Sequence, residues 1–243
     1  MLILLRVVQI IFEIVEVLEA TLNTYEECSS HNANSLEEAY YKLNICNNDF
    51  MFFPMNSINS NLTNVVNLFN GIKVDSFRSQ TFSLTRGDTY YDKEYLFAEG
   101  PLVKYFNENI ASFIIDTILD SHLSLNNFIE STNRISSNSC RLQIIPENYR
   151  TESMQWQWHF DPTGAEYNLL LPFTSPGTEF CSTTYDKQTY SKLDEYIKNE
   201  LFDKCNESNY QLQPGEAVIY KPDKGFHKAP NFKDGRALIR FNA

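Results

Sequence analysis

A short stretch near the middle of the chain alternates polar residues with large apolar ones and ends at a proline. Gln155, Gln157, His159 and Asp161 occupy every second position, and tryptophan or phenylalanine fills the positions between them. Successive side chains of a β-strand point to opposite faces, so this pattern predicts a strand whose polar face carries His159 and Asp161. Pro162 lacks a backbone N–H and should end the strand. The chain is therefore expected to fold around a sheet whose aromatic face is covered by a second layer.

A second histidine lies much further along the chain, next to another predicted strand. Segment 214–225 has the pattern of a turn, a strand and a loop, and it leads to His227. A last predicted strand, 236–241, carries Arg236 and Arg240 on one face. Two imidazoles and a carboxylate form the facial triad that holds Fe(II) and leaves positions open for small molecules, so the pattern predicts a metal site. The alternative is a structural role, with a core histidine and an aspartate that opens a turn.

The sequence around these residues resembles the Fe(II)- and 2-oxoglutarate-dependent dioxygenases. The residues that match the family's HxD…H…R pattern are His159, Asp161, His227 and Arg236. The spacing from His227 to Arg236 is similar to that of the prolyl-hydroxylase-like branch. Other branches place the arginine further along, which makes Arg240 a rival. The resemblance covers about Ser139–Ala243.

The resemblance implies a double-stranded β-helix, or jelly-roll, as the core of an α+β fold. It implies an oxidoreductase that uses Fe(II), 2-oxoglutarate as cosubstrate and O₂, with the two histidines and Asp161 as catalytic metal ligands. Arg236 or Arg240 would bind the far carboxylate of 2-oxoglutarate, since a guanidinium forms two parallel hydrogen bonds with a carboxylate. Such an enzyme hydroxylates a protein side chain or a small molecule and releases succinate and CO₂.

Several polar residues near the predicted site have more than one candidate role. Gln155 and Gln157 can orient a substrate, or they can hydrogen-bond to the first histidine. Gln143, Tyr167 and Asn168 are candidates for a further contact with 2-oxoglutarate, and strand alternation does not choose among them.

Two other interpretations of the site stay open. One is a cupin-type metalloprotein of jelly-roll fold without 2-oxoglutarate chemistry, which would have no need of Arg236. The other is a catalytically inactive relative that serves as a binding or scaffold protein. Metal content of the purified protein would discriminate between an intact and an inactive site.

Helical patterns dominate the first half of the chain. Segments 36–43 and 101–128 repeat apolar residues at helical spacing, and 1–24 has the pattern of an amphipathic helix interrupted by charges. A membrane span needs about twenty nearly uncharged apolar residues, which 1–24 lacks. We therefore predict that residues 1–130 form a mainly helical region packed on the sheet of a metal-binding core, 131–243, in one integrated domain.

Two expectations concern packing around the site. The helix over 101–128 is a candidate to cover the aromatic face that includes Trp156 and Trp158. A charged insertion, 180–210, separates the two ligand-bearing regions, and its segment 192–204 is predicted to be helical. We expect a solvated surface insertion in preference to a lid over the metal.

Composition narrows the partner and the compartment. A net charge of −11 disfavours a nucleic-acid partner, which needs a basic surface, and leaves a protein or a small molecule as substrate. The five cysteines are scattered without a CxxC pair, so they predict neither a zinc site nor a disulfide framework. An odd count leaves at least one thiol free. We therefore expect a reducing compartment, the cytoplasm.

Overall fold

The computed structural model of the chain describes residues 28–70, 72, 80–85, 102, 105–132, 139–145, 157–161, 165–174, 177–230 and 236–242. Its helices are α1 (Leu36–Ile45), α2 (Leu62–Phe69), α3 (Glu108–Ser131), α4 (Lys187–Tyr190) and α5 (Glu195–Glu207). Its strands are β1 (Phe50–Pro54), β2 (Gln80–Thr85), β3 (Ser139–Ile145), β4 (Asn168–Pro172), β5 (Glu179–Cys181), β6 (Tyr210–Gln211), β7 (Glu216–Tyr220), β8 (Phe226–Lys228) and β9 (Arg236–Asn242).

The strands form two antiparallel sheets. The larger has the order β1-β7-β4-β9-β3-β2, and the smaller has the order β6-β5-β8. The strands predicted within 214–225 and over 236–241 are confirmed as β7 and β9. Strand β1 was not predicted, because its first four residues are buried without polar alternation. A short continuous apolar run of this kind does not distinguish a strand from a buried helix.

Helices α1, α2 and α3 cover one face of the larger sheet. Leu171 of β4 and Ile239 of β9 are fully buried in one cluster with Leu43, Val65 and Ile114 from the three helices. The prediction that N-terminal helices pack on the sheet is therefore confirmed, and the fold is a mixture of helices and antiparallel sheet. Burial of this apolar layer is the main favourable term in the stability of such a fold.

Polar side chains define where the two predicted helices of this layer begin. Ser35 caps α1 by accepting a hydrogen bond from the backbone N–H of Glu38. Asn107 caps α3 in the same way, with the N–H of Ile110 as donor. The long helix thus starts at Glu108 and not at residue 101, because a side-chain acceptor satisfies an N–H that has no partner within the helix.

The opposite face of the larger sheet packs against the smaller one. Phe180 of β5 lies 5.2 Å from Phe50 and 5.2 Å from Tyr220 between ring centroids. Leu170 and Leu238 complete the same buried cluster. Leu170 is the neighbour of Leu171, so adjacent residues of β4 serve the two layers alternately, as strand geometry requires.

Strands from both halves of the chain lie in the larger sheet. β1 and β2 come from the region before residue 130, and β3, β4, β7 and β9 come from the region after it. The division at residue 130 stays a prediction. The amphipathic segment 1–24, Gln155 and Pro162 lie outside the described residues. Among the residues that the structure does describe, no helix combines the length and apolar character needed to cross a membrane.

The prediction that the cysteines form no disulfide framework is wrong. Cys28 is bonded to Cys46 and Cys181 to Cys205, with Cα–Cα distances of 5.1 Å and 5.5 Å. Cys140 is free and buried, as the odd count required. Pairing depends on spatial proximity, which the sequence separations of 18 and 24 residues do not reveal. Two disulfides also count against the reducing, cytoplasmic location expected from the sequence.

We predict that Ile239→Ala lowers the free energy of unfolding by about 2–5 kcal/mol, since it opens a cavity between β9 and the helical layer. Leu123→Ala is a suitable control, because Leu123 on α3 is 59% exposed. Its effect should stay within about 0.5 kcal/mol. Urea unfolding followed by circular dichroism measures both. Equal losses in the two variants would contradict this assignment of the core.

Candidate metal centre

The backbone brings the two distant histidines side by side. The N–H of His159 donates to the carbonyl of His227 at 2.9 Å, and the N–H of His227 donates to the carbonyl of His159 at 3.0 Å. This reciprocal pair is an isolated antiparallel bridge, not part of a longer ladder. His227 lies on β8. The strand predicted to end at Pro162 is described only over residues 157–161, and there it contains only this bridge.

Asp161 joins the two histidines. One ligand atom from each of His159, Asp161 and His227 can be chosen so that all three lie within 4.8 Å of one another. The Nε2 atom of His227 is 3.7 Å from Oδ2 of Asp161. Two imidazole nitrogens and a carboxylate oxygen at this separation can hold a metal ion. The structure therefore assembles the triad of residues that the sequence pattern singled out.

Both imidazoles are oriented by main-chain carbonyls two residues earlier. Nδ1 of His159 is 2.8 Å from the carbonyl oxygen of Gln157, and Nδ1 of His227 is 2.8 Å from that of Gly225. A carbonyl oxygen only accepts hydrogen bonds, so each Nδ1 carries the proton. In the neutral ring Nε2 then has a free lone pair, which is the form that binds a metal.

Three donors from three adjacent strands converge on Oδ2 of Asp161. They are the hydroxyl of Tyr220 at 2.6 Å, Nδ2 of Asn168 at 2.8 Å and Nη2 of Arg240 at 3.0 Å. These residues belong to β7, β4 and β9, whose register places Asn168 opposite Tyr220. Asp161 is only 3% exposed, and a buried carboxylate needs such partners.

Opposing effects act on the acid–base behaviour of the triad. Burial raises the pKa of Asp161, but interactions with His227 and Arg240 and the hydrogen bond from Tyr220 outweigh it, and the net pKa is lowered. Burial also lowers the pKa of His227 to about 4. Near neutral pH the aspartate is therefore ionised and His227 is neutral, as metal binding requires.

The triad opens onto a cleft that is continuous with solvent. Arg236 and Arg240 both line it from one face of β9, as the sequence alternation predicted. Arg240 is engaged with Asp161 and also donates from Nε to the side chain of Asn242 at 2.9 Å. Arg236 is buried, and burial lowers its pKa to about 10, so it keeps its charge at neutral pH.

The structure places the other polar candidates in different positions relative to the cleft. Gln143 lines the cleft, and Asn168 holds Asp161. Tyr167 is turned away, since its hydroxyl donates to Oδ1 of Asn44 at 2.8 Å and its ring belongs to the helical core. Gln157 has an exposed side chain and contacts His159 through its carbonyl.

Two polar residues of the cleft, Tyr220 and Thr178, were missed in the sequence. Tyr220 is the last residue of β7 and lies on the face opposite to Ile219. Strand alternation separates these two faces, but only the sheet order shows that the Tyr220 face carries Ala229 and the metal ligands. Thr178 is buried in a loop, where no periodicity marks it. Neither position belongs to the family pattern quoted above.

The charged insertion does not cover the cleft. Residues 182–209 are all described, and none of them lines it. The segment packs instead on Trp158, Phe160 and Phe226, which alternate with the metal ligands along their strands. The hypothesis that α3 covers Trp158 is wrong for this reason, and Trp156 lies outside the described residues.

When the chain is compared with known proteins, similarity is found only to solved structures. No protein-family model and no curated protein matches the sequence. A Pseudomonas putida prolyl-4-hydroxylase is 11% identical over 85% of this chain and 97% of its own, with a TM-score of 0.39. A Trichoplax adhaerens prolyl hydroxylase, solved with a hypoxia inducible factor peptide fragment, is 12% identical over 91% of this chain and 92% of its own, with a TM-score of 0.40.

A third solved structure, from Caulobacter crescentus, is described as a 2OG-Fe(II) oxygenase family protein. It is 13% identical over 80% of this chain and 77% of its own, with a TM-score of 0.37. Similarity of this size assigns no activity to the chain. The function proposed below is therefore drawn from the side chains of the cleft.

We predict that His227 lowers the stability of the metal-free protein as the pH falls from 6.5 to about 4. The unfolded chain takes up a proton on this histidine near pH 6.5, whereas the folded chain resists it down to a pKa of about 4. The contribution is fully present above pH 6.5. Urea unfolding in the presence of a chelator, repeated across this range, measures the slope.

His227→Gln provides the comparison, because it removes the titrating ring and keeps a polar side chain. As the pH is lowered from 6.5 to 4, its free energy of unfolding should fall less than that of the wild type. Other groups contribute in both proteins, since burial lowers the pKa of His31 and raises that of Asp49 to about 6. The difference between the two pH dependences therefore reports His227. Identical slopes in the two proteins would show that His227 is not the group responsible.

Proposed function

We propose that this protein is an Fe(II)- and 2-oxoglutarate-dependent oxygenase. The observation that carries the proposal is the arrangement of His159, Asp161 and His227, with both Nδ1 atoms bonded to carbonyls and the ligand atoms within 4.8 Å of one another. A histidine pair that merely packed in a core would need no common tautomer and no buried carboxylate beside it. The family resemblance of the sequence around these residues supports the same assignment.

The donor set fits Fe(II) in particular. Two neutral imidazoles and one carboxylate suit a borderline divalent metal, and three protein ligands leave positions open for other molecules. Oδ2 of Asp161 already accepts three hydrogen bonds, so we assign Oδ1 as the oxygen that binds the metal. The open cleft on the ligand side gives those molecules access.

We assign Arg236 to the far carboxylate of 2-oxoglutarate. It lines the cleft, is buried and keeps its charge at neutral pH, so a carboxylate bonded to it would be shielded from water. Arg240 already forms an ion pair with Asp161 at 3.0 Å. We therefore assign Arg240 to holding that ligand, and we propose Gln143 as a further polar contact within the cleft.

With iron bound, the site would supply the activation of O₂ that converts 2-oxoglutarate to succinate and CO₂ and hydroxylates a substrate C–H bond. The side chains of this protein would bind and orient the reactants. Arg236 fixes one end of the cosubstrate, Leu170 and Leu238 give the cleft apolar walls, and the Asn168–Tyr220 pair keeps Asp161 in place. Positioning of this kind lowers the barrier by holding reacting atoms in the correct geometry.

We further propose that the two packed sheets are a double-stranded β-helix, with residues 131–243 as its core. The antiparallel pairing of β4 with β7 and β9, and of β5 with β8, is consistent with such a core. The substrate is proposed to be a protein side chain or a small molecule. Either could approach the cleft from solvent, and the net charge of −11 disfavours nucleic acid.

We predict that adding Fe(II) and then 2-oxoglutarate without oxygen produces a weak visible charge-transfer band. The band reports the cosubstrate chelated to iron, so it tests metal and cosubstrate together. It should be absent in Asp161→Ala, which loses a metal ligand but should keep the wild-type circular dichroism spectrum. Tight iron binding without the band would favour a cupin-type site, and no iron binding would favour an inactive scaffold.

We predict that Arg236→Ala raises the 2-oxoglutarate concentration for half-maximal band intensity by about 10- to 100-fold. Hydrogen bonds to charged groups contribute ~1.5–3 kcal/mol, and tenfold corresponds to about 1.4 kcal/mol. Arg240→Ala should instead weaken iron binding, since it removes an Asp161 partner. Titrations at saturating iron separate the two effects. The reverse outcome, with Arg240 controlling 2-oxoglutarate, would exchange the two assignments.

A further inference from the structure

The chain between β5 and β6, residues 182–209, packs against the back of the metal ligands. We call it the α4–α5 segment. Phe226 of β8 packs against the two neighbours of His159, with its ring 4.7 Å from that of Phe160 and 5.7 Å from that of Trp158. Tyr190 of the α4–α5 segment adds to this group at 5.5 Å from Phe160 and 5.3 Å from Phe226.

These aromatic residues are direct neighbours of the ligands. Trp158 and Phe160 flank His159, and Phe226 precedes His227. Side chains of adjacent residues in extended chain point to opposite sides, so the aromatic group faces away from the cleft that the ligands line. The α4–α5 segment therefore contacts the ligand-bearing backbone from behind.

Polar contacts connect the same segment to each ligand region. Lys187 donates from Nζ to the main-chain carbonyl of Asp161 at 2.9 Å. Oδ1 of Asn206 accepts from Nε1 of Trp158 at 3.0 Å and from Nζ of Lys228 at 2.8 Å. One partner is Asp161, which is itself a metal ligand. The others, Trp158 and Lys228, are next to His159 and His227 in the sequence.

A covalent bond completes the attachment. Cys205 of α5 is bonded to Cys181 of β5, and both residues are buried. β5 pairs with β8 so that Phe180 lies opposite His227 and Cys181 opposite Phe226. The disulfide thus joins α5 to the strand that supports the distal histidine.

The ligand-bearing segment has little backbone support of its own. Within the described residues 157–161 it forms one bridge, with two hydrogen bonds to His227. Its position must therefore depend largely on side chains. These include the three donors to the Asp161 carboxylate, the aromatic packing, and the contacts made by Lys187 and Asn206. Replacing a residue that orients a metal ligand commonly lowers the metal affinity by about 10- to 100-fold.

We propose that the α4–α5 segment is a positioning element that holds the His159–Asp161 segment against β8 and thereby increases the affinity of the site for a divalent metal. This inference rests on the metal site of the proposed function. It gives the charged insertion a role in metal binding without any contact between the insertion and the cleft.

The first test is Lys187→Met in the full chain, with Lys192→Met as its matched control. Both replace a lysine of the same segment, but Lys192 is exposed and Lys187 contacts the carbonyl of Asp161. Calorimetric titration of the metal-free protein with Co²⁺ measures the dissociation constant. We expect about a tenfold increase for Lys187→Met and no change for Lys192→Met.

The second test compares the two disulfides. Replacing Cys181 and Cys205 together by alanine should weaken Co²⁺ binding by about 10- to 100-fold. Replacing Cys28 and Cys46 should leave the dissociation constant unchanged, although both double variants should have lower melting temperatures. A loss of stability alone would be common to both pairs, whereas weaker metal binding in the folded protein would be specific to the first.

The outcomes separate this inference from the proposed function. Wild-type Co²⁺ binding combined with unchanged affinity in Lys187→Met and in the Cys181/Cys205 variant would overturn the positioning role and leave the metal site intact. Absence of Co²⁺ binding in the wild type would overturn both. If the cysteine variant does not fold, Asn206→Ala takes its place, with the same expected loss and with circular dichroism as the check on folding.

Discussion

The burial of the Asp161 carboxylate is the constraint on which the rest of the site depends. A charge in this position is tolerated only when donors surround it, and here they come from three neighbouring strands. The order β7-β4-β9 and its register are what bring Tyr220, Asn168 and Arg240 to one oxygen. A slip of one residue in any of these strands would turn the donor to the helical core and leave the charge uncompensated.

Much of the site followed from the sequence because its signals are local. His159 and Asp161 share a face by strand alternation, and Arg236 and Arg240 do so on β9. Their approach to His227 was inferred from a family pattern, because nothing local connects residues so distant in the chain. Tyr220 and Thr178 escaped detection, since a role at the cleft depends on sheet order for one and on an irregular loop for the other.

The fold, like the site, could be predicted only in part from the sequence. Amphipathic periodicity located α1 and α3 of the covering layer, but β1 is apolar throughout and gave no period. The disulfides depend on distances that only the folded chain defines, and they count against the reducing compartment that the sequence suggested. The covering of Trp158 was misassigned because several elements could bury an aromatic face, and hydrophobicity alone does not select among them.

The carbonyl acceptors at residues 157 and 225 have a consequence for how the sequence around the metal centre can vary in evolution. They are main-chain atoms, so replacing the Gln157 side chain leaves the proton on Nδ1 of His159 where it is. At Gly225 the limit is steric, because a Cβ there would lie 2.5 Å from Cδ2 of Tyr220. The histidine tautomers are thus inherited with the path of the backbone, and sequences can diverge widely while retaining them.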